Sequence, residues 1–218
     1  MNEPRRARSW EILRSCAAAV AVGGICGGLL RIWVAPSTQA AWFSVIVGAN
    51  VPRLAVWAYL WRQDRRRWRC ARIGFEGEPA RALGHAALML GAWSIFWLGS
   101  SGPAWSPAQR LGGTLTSCVV GGFEEFVFRG LLLEAFGGLL KRPQAVLASA
   151  LAFTLIHLHV ESIPSWPHIF LTGAVLANLR VGGLGLGWLA MIHAAVDSAF
   201  FFTGFNGAGP QGPRYALF

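Results

Sequence analysis

Three charged residues, Glu124, Glu125 and Arg129, lie within six positions of one another inside a mostly apolar stretch from Leu111 to Leu140. A charge at the centre of a bilayer costs about 3 kcal/mol or more, so these side chains are expected to face away from lipid and to serve a function. Glu125 and Arg129 have i,i+4 spacing with the acid first, the favourable order for a helical ion pair. Glu124 points about 100° away around the helix. We therefore expect Glu124 to be the carboxylate that is free for chemistry.

Three more polar residues occur in later apolar runs: His157, His193 and Asp197. At about 1.5 Å per residue, they and the two glutamates reach the middle of the bilayer, so we expect them to share one cavity. Two histidines and several carboxylates in a dry pocket can activate water. Either Glu124 acts directly as a general base, or a metal ion held by His157, His193 and an acid such as Glu124 activates the bound water. The residues leave both possibilities open.

The composition predicts one helical membrane domain. Of the 218 residues 54% are hydrophobic, and they are gathered in long runs instead of being spread amphipathically. The net charge of +9 comes from basic residues between these runs, which indicates membrane topology and argues against a nucleic-acid partner. The four cysteines lack metal-site or disulfide spacing and are expected to be packing residues.

The fold class that we predict is an all-α, polytopic transmembrane bundle of about seven spans, with the catalytic core in the C-terminal four helices. The basic stretch 62–72 is expected on the cytoplasmic side, which also places the N-terminus in the cytoplasm. A cleaved signal peptide is the rival interpretation of the first run, and that run is longer than the usual apolar core of such a peptide. The predicted spans are about 15–35, 40–61, 82–100, 111–140, 144–160, 168–180 and 187–204.

Four regions follow from these spans. They are a basic N-terminus at 1–14, N-terminal transmembrane helices at 15–109, a catalytic core at 110–205 and a flexible tail at 206–218.

Three motifs resemble those of the CPBP family, which contains type II CAAX prenyl endopeptidases and Abi-like bacteriocin-processing or immunity enzymes. They are Glu-Glu-x-x-x-Arg-Gly at 124–130, Phe-x-x-x-His at 153–157 and His-x-x-x-Asp at 193–197, in the family's order within about residues 110–205. The resemblance implies an intramembrane endopeptidase. It also implies that Glu124 and His157 activate the water, that Glu125 and Arg129 hold the site together, and that His193 and residue 197 stabilise the oxyanion.

The resemblance further implies a peptide or lipidated-protein substrate in contact with membrane lipids, in a bacterial cytoplasmic membrane. Members of the family have been described both as metalloproteases and as metal-free glutamate proteases, so zinc is a candidate cofactor and a metal-free site is the alternative. This chain has Asp197 where the family more often has Asn. An ionised Asp cannot donate a hydrogen bond to an oxyanion. Asp197 is therefore protonated, a ligand, or the group that orients His193, and we favour the last role.

Two other functions fit parts of the pattern. Membrane carboxylates and histidines also form the relays of ion-coupled transporters, although the chain lacks the repeated halves that many transporters have. A catalytically silent immunity or scaffold protein could keep the fold. The arginines at 31 and 53 are expected either to line a pathway or to pair or extend towards the interface. The oligomeric state does not follow from the sequence.

Overall fold

The computed structural model describes residues 3–34, 39–97, 105–157 and 166–203. Within these ranges the chain forms α-helices and two π-helical segments, with no β-strand. The helices are α1 (Glu3–Val34), α2 (Gln39–Gly48), α3 (Asn50–Gln63), α4 (Pro79–Trp97), α5 (Pro107–Glu125), α6 (Leu133–Gly137), α7 (Arg142–His157), α8 (Trp166–Val181) and α9 (Leu186–Thr203). The π-helical segments are Asp64–Trp68 and Phe126–Leu132. The prediction of an all-α helical bundle is confirmed.

Several short elements join into longer helical runs. The segment Asp64–Trp68 extends α3, and the segment Phe126–Leu132 connects α5 directly to α6. The described helices therefore group into runs close to the predicted spans. The predicted tail 206–218 and the loop after His157 lie outside the described residues.

Two helical stretches are long and apolar enough to cross a membrane by length and composition, Glu3–Leu30 and Phe43–Trp68, among the residues that the structure describes. Helices α7 and α8 have 16 residues each, fewer than the roughly 20 that a perpendicular span needs. The run that starts with α5 is long enough, but it carries the charged cluster. The number of seven spans remains a prediction.

Helix α5 has a well-defined start. Ser106 is its N-cap and accepts a hydrogen bond from the backbone of Gln109, whose side chain in turn accepts one from the backbone of Ser106. Pro107 follows at the first helical position, where its missing N–H costs nothing. This capping box fixes the helical register that leads to Glu124.

Helices α5 and α9 approach each other at Gly121. A Cβ atom added to Gly121 would lie 2.9 Å from both the backbone oxygen of Ala190 and the backbone nitrogen of Ala194. A larger residue would thus meet backbone, which cannot rotate out of the way as a side chain can. Because His193 and Glu124 flank this contact, the close approach brings the two helices of the polar cluster together.

The segment 69–78 between the π-helical turn and α4 is non-helical and is bound to the connection between α8 and α9. The backbone N–H of Gly185 donates to the carbonyl of Glu76, and that of Gly187 donates to the carbonyl of Gly74, both at 2.8 Å. The indole N–H of Trp188 donates to the carbonyl of Phe75 at 3.1 Å. These bonds tie the N-terminal helices to the start of α9.

The substitution Gly121→Ala is expected to lower both the free energy of unfolding, by about 1–3 kcal/mol, and the activity, because the new methyl group overlaps the backbone of α9. Unfolding of the purified protein in detergent, followed by tryptophan fluorescence, measures the change. Gly84→Ala is the matched control, since a Cβ at Gly84 meets nothing within 4 Å and both changes favour the helix equally. Equal stabilities of the two variants would contradict the close approach.

Candidate active site

Glu125 and Arg129 form a buried ion pair. Arg129 Nη1 donates to Glu125 Oε1 at 2.9 Å, and the two side chains are at most 1% exposed. The pair spans the junction between α5 and the π-helical segment Phe126–Leu132, a distortion that is frequent at functional sites. The predicted i,i+4 pairing is present in the structure.

Arg129 also joins two further helices to this pair. Its Nη2 donates to the carbonyl of Gly173 on α8 at 3.3 Å. Its guanidinium carbon lies 4.3 Å from the ring centroid of Phe153 on α7, within cation–π range. One arginine thus contacts α5, α7 and α8 at the level of the polar cluster.

His193 is held by Glu125. Its Nδ1 lies 2.8 Å from Glu125 Oε1, and because an ionised carboxylate only accepts, Nδ1 carries the hydrogen. The other ring nitrogen, Nε2, lies 3.7 Å from Glu124 Oε2 and 3.6 Å from Asp197 Oδ2. This differs from the expectation that Asp197 orients the ring, since the hydrogen bond that fixes His193 comes from the neighbouring helix.

His157 is oriented in the same way by its own helix. Its Nδ1 lies 2.7 Å from the carbonyl oxygen of Phe153, which can only accept, so Nδ1 again carries the hydrogen. The ring packs on Phe153 with centroids 4.6 Å apart. Nε2 faces Glu124, with 3.9 Å between it and Oε2.

Glu124 lies at the centre of these groups. It is 1% exposed, and neither carboxylate oxygen has a hydrogen-bond partner within the described part of the chain. A buried polar group without a partner is costly, so it requires an explanation such as a water molecule or a substrate group between the side chains. Asp197, with 34% of its side chain exposed, is the member of the cluster that is accessible.

All six residues predicted for the site therefore lie together in the structure. Glu124, Glu125 and Arg129 come from the α5 run, His157 from the end of α7, and His193 and Asp197 from α9.

The donor atoms near Glu124 differ in their spacing from those of a zinc site. Imidazole nitrogens and a carboxylate are suitable zinc ligands, but tetrahedral ligands at about 2.0–2.1 Å lie about 3.3 Å apart. The Nε2 atoms of His157 and His193 are 3.9 and 3.7 Å from Glu124 Oε2. Within the described ranges no group of three or more His, Cys, Asp or Glu residues has metal-site geometry. The residues as placed do not fit a zinc ion.

Arg53 is a further charged residue beside the cluster, for which the sequence left several roles open. It is 8% exposed, so its side chain does not extend to the interface. Its guanidinium interacts electrostatically with Glu124 and Asp197. In the sequence, Arg53 could be recognised only as an arginine within a predicted span. Residue spacing could not show which helix its side chain faces.

The substitution Arg129→Met is expected to lower the free energy of unfolding by about 3–5 kcal/mol, because it leaves the carboxylate of Glu125 buried without a cation. Titration with a denaturing detergent measures the loss. Arg67→Met is the control, since the Arg67–Glu11 pair is exposed and is worth about 1 kcal/mol or less. A similar small loss for both variants would contradict the importance of the buried pair.

Residues 106–199 match the family model described as type II CAAX prenyl endopeptidase Rce1-like. The matched segment includes all six residues of the cluster, in agreement with the resemblance noted from the motifs. No curated protein and no solved structure matches the chain. Residues 106–199 are thus similar to the type II CAAX prenyl endopeptidase, Rce1-like, family, which supports a membrane protease.

Proposed function

We propose that the protein is an intramembrane endopeptidase in which Glu124 is the general base that activates water. The observation that carries this proposal is the environment of Glu124. Its carboxylate is buried and has no hydrogen-bond partner among the described residues. It faces the Nε2 atoms of two histidines whose rings are oriented by other groups. A general base must lie within hydrogen-bond reach of the proton that it removes. A water molecule hydrogen-bonded to Glu124 Oε2 would meet this requirement.

The separations suit such a water. Glu124 Oε2 lies 3.7 Å from His193 Nε2 and 3.9 Å from His157 Nε2. A water molecule at ordinary hydrogen-bond distances of about 2.8–3.0 Å can bridge atoms that far apart. Because Nδ1 of His157 donates to a backbone carbonyl, the neutral ring presents an accepting Nε2 that can orient the second hydrogen of this water.

The reaction then follows in two steps. Glu124 takes a proton from the water while the water oxygen bonds to the carbonyl carbon of the peptide, which gives a tetrahedral intermediate with a negative oxygen. The C–N bond breaks next, and the proton held by Glu124 passes to the departing amine nitrogen. The products are a carboxylic acid and an amine, and Glu124 returns to its ionised form.

His193 is the group that stabilises the negative oxygen in this proposal. In its imidazolium form it donates from Nδ1 to Glu125 and from Nε2 into the pocket. Carboxylate oxygens lie within 4 Å of both ring nitrogens and compensate the positive charge. Glu125 and Arg129 act through His193 and the helix positions, without contact with the reacting atoms.

The proposed substrate is a peptide or a lipidated protein that reaches the pocket from the membrane. This choice rests on the family match, whose description names a prenyl endopeptidase. A fluorescent peptide that ends in a farnesylated CAAX sequence is the first substrate to test, and the same peptide without the lipid shows whether the prenyl group is recognised.

The substitution Glu124→Gln is expected to reduce cleavage by at least about 100-fold, because the amide keeps the shape but cannot accept the proton. Cleavage is measured by mass spectrometry of the peptide after incubation with protein in proteoliposomes. Glu134→Gln is the matched control, since Glu134 is partly exposed and pairs with Arg8 away from the cluster. Cleavage by Glu124→Gln at the wild-type rate would overturn the proposal.

The purified protein is expected to cleave its substrate without bound zinc, because the donor atoms lie farther apart than zinc ligands. Elemental analysis of the purified protein and the activity after dialysis against a chelator test this expectation. Stoichiometric zinc, together with activity that a chelator abolishes and zinc restores, would contradict it.

A further inference from the structure

Arg53 is a buried cation whose side chain is held in place on α3. Its Nη1 donates to Asn50 Oδ1 at 2.5 Å, and Asn50 Nδ2 donates to Thr116 Oγ1 on α5 at 3.1 Å. Within the described residues this is the one hydrogen bond of the guanidinium, which has five N–H donors. The bond to Asn50 therefore positions the charge without neutralising it.

The contacts between α3 and α5 define the depth of Arg53. Asn50 contacts Thr116, and Trp57 packs against Phe123 with ring centroids 6.4 Å apart. Both pairs have the same sequence offset, so the two helices run in the same direction. Arg53 therefore lies near the level of residue 119, about 7.5 Å before Glu124 along α5 at 1.5 Å per residue.

The contacts between α5 and α9 define the depth of Asp197. Gly113 lies against the ring of Phe201, and Gly121 lies against His193. The helices thus run in opposite directions, and Asp197 falls near the level of residue 117. Arg53 and Asp197 therefore lie on two helices that both pack against α5, at depths that differ by about 3 Å.

The balance of charges in the polar cluster shows why the position of Arg53 matters. Glu125 is paired with Arg129 at 2.9 Å, whereas Glu124 and Asp197 lie 3.7 and 3.6 Å from the same nitrogen, His193 Nε2. One imidazolium cannot balance two carboxylates, so these groups together keep one excess negative charge. Arg53 interacts electrostatically with both carboxylates. In a poorly solvated interior an uncompensated charge is far more costly than at a surface. An Asp at position 197 adds a negative charge that an Asn would not.

We propose that Arg53 is a positioning residue for the reaction, whose charge compensates Asp197 across the pocket and is no longer needed when residue 197 is neutral. This inference rests on the proposed function, because cleavage is its main readout. Arg53 acts by keeping Asp197 from repelling Glu124 and from drawing His193 away from the water. Neither the family match nor the motifs assign a role to α3.

The experiment compares cleavage by four proteins: the wild type, Arg53→Met, Asp197→Asn and the double variant. Arg53→Met alone is expected to reduce cleavage about tenfold or more, and the double variant is expected to cleave at nearly the rate of Asp197→Asn. A difference of this size between the double variant and the combined single variants lies within the range of interaction energies for neighbouring residues. Arg53→Lys keeps the charge and is expected to retain most activity. Arg62→Met, at an exposed position of the same helix, is the control that should leave cleavage unchanged.

Two results would overturn the inference: wild-type cleavage by Arg53→Met, or a double variant whose loss equals the product of the single losses. If the wild type itself cleaves no test peptide, the proposed function fails, and the charge compensation is tested separately by stability. The same four proteins are then titrated with a denaturing detergent. Asp197→Asn should restore the unfolding midpoint that Arg53→Met lowers, and its failure to do so would refute the pairing.

Discussion

A single carboxylate oxygen, Glu125 Oε1, holds the arrangement together. It accepts a hydrogen bond from Arg129 Nη1 at 2.9 Å and one from His193 Nδ1 at 2.8 Å. Arg129 continues to the carbonyl of Gly173, so this oxygen links the α5 run, α8 and α9. A buried carboxylate needs such partners because desolvation is costly. The Glu125–Arg129 pair lies within one helical run, so a shift of α8 or α9 would cost this cluster a hydrogen bond between helices.

The same interaction separates the tasks of two adjacent glutamates. Glu125 uses one oxygen for two charged or polar donors, whereas the oxygens of Glu124 have no hydrogen bond in the described chain. Adjacent residues point about 100° apart on a helix, so Glu125 faces Arg129 and His193 while Glu124 faces the Nε2 atoms of both histidines. Glu125 thus makes the structural contacts and leaves the carboxylate of Glu124 available for a reaction.

Much of this could be predicted from the sequence, because helix length and spacing fix depth. The apolar runs predicted the helices, and counting residues along them placed Glu124, His157 and His193 at one level. Contacts between helices were harder to predict. Spacing paired His193 with Asp197, four residues later on the same helix, and the two side chains do lie 3.6 Å apart. Spacing could not show the shorter hydrogen bond of His193 to Glu125 on α5. The proposed role of Arg53 depends on how far α3 is shifted along α5. This shift cannot be predicted from the sequence of either helix alone.

The N-terminal helices present much of their apolar surface to the outside of the bundle. The stretches Glu3–Leu30 and Phe43–Trp68 satisfy the length and composition of a membrane span, although only 17% and 33% of their most apolar windows are buried. Large apolar side chains on α1, such as Ile25 and Leu29, are more than 60% exposed, as expected of a helix that faces lipid. The N-terminal helices supply apolar surface, and α3 carries the buried Arg53. In the proposed arrangement, this charge joins the N-terminal helices to the polar cluster of the C-terminal ones.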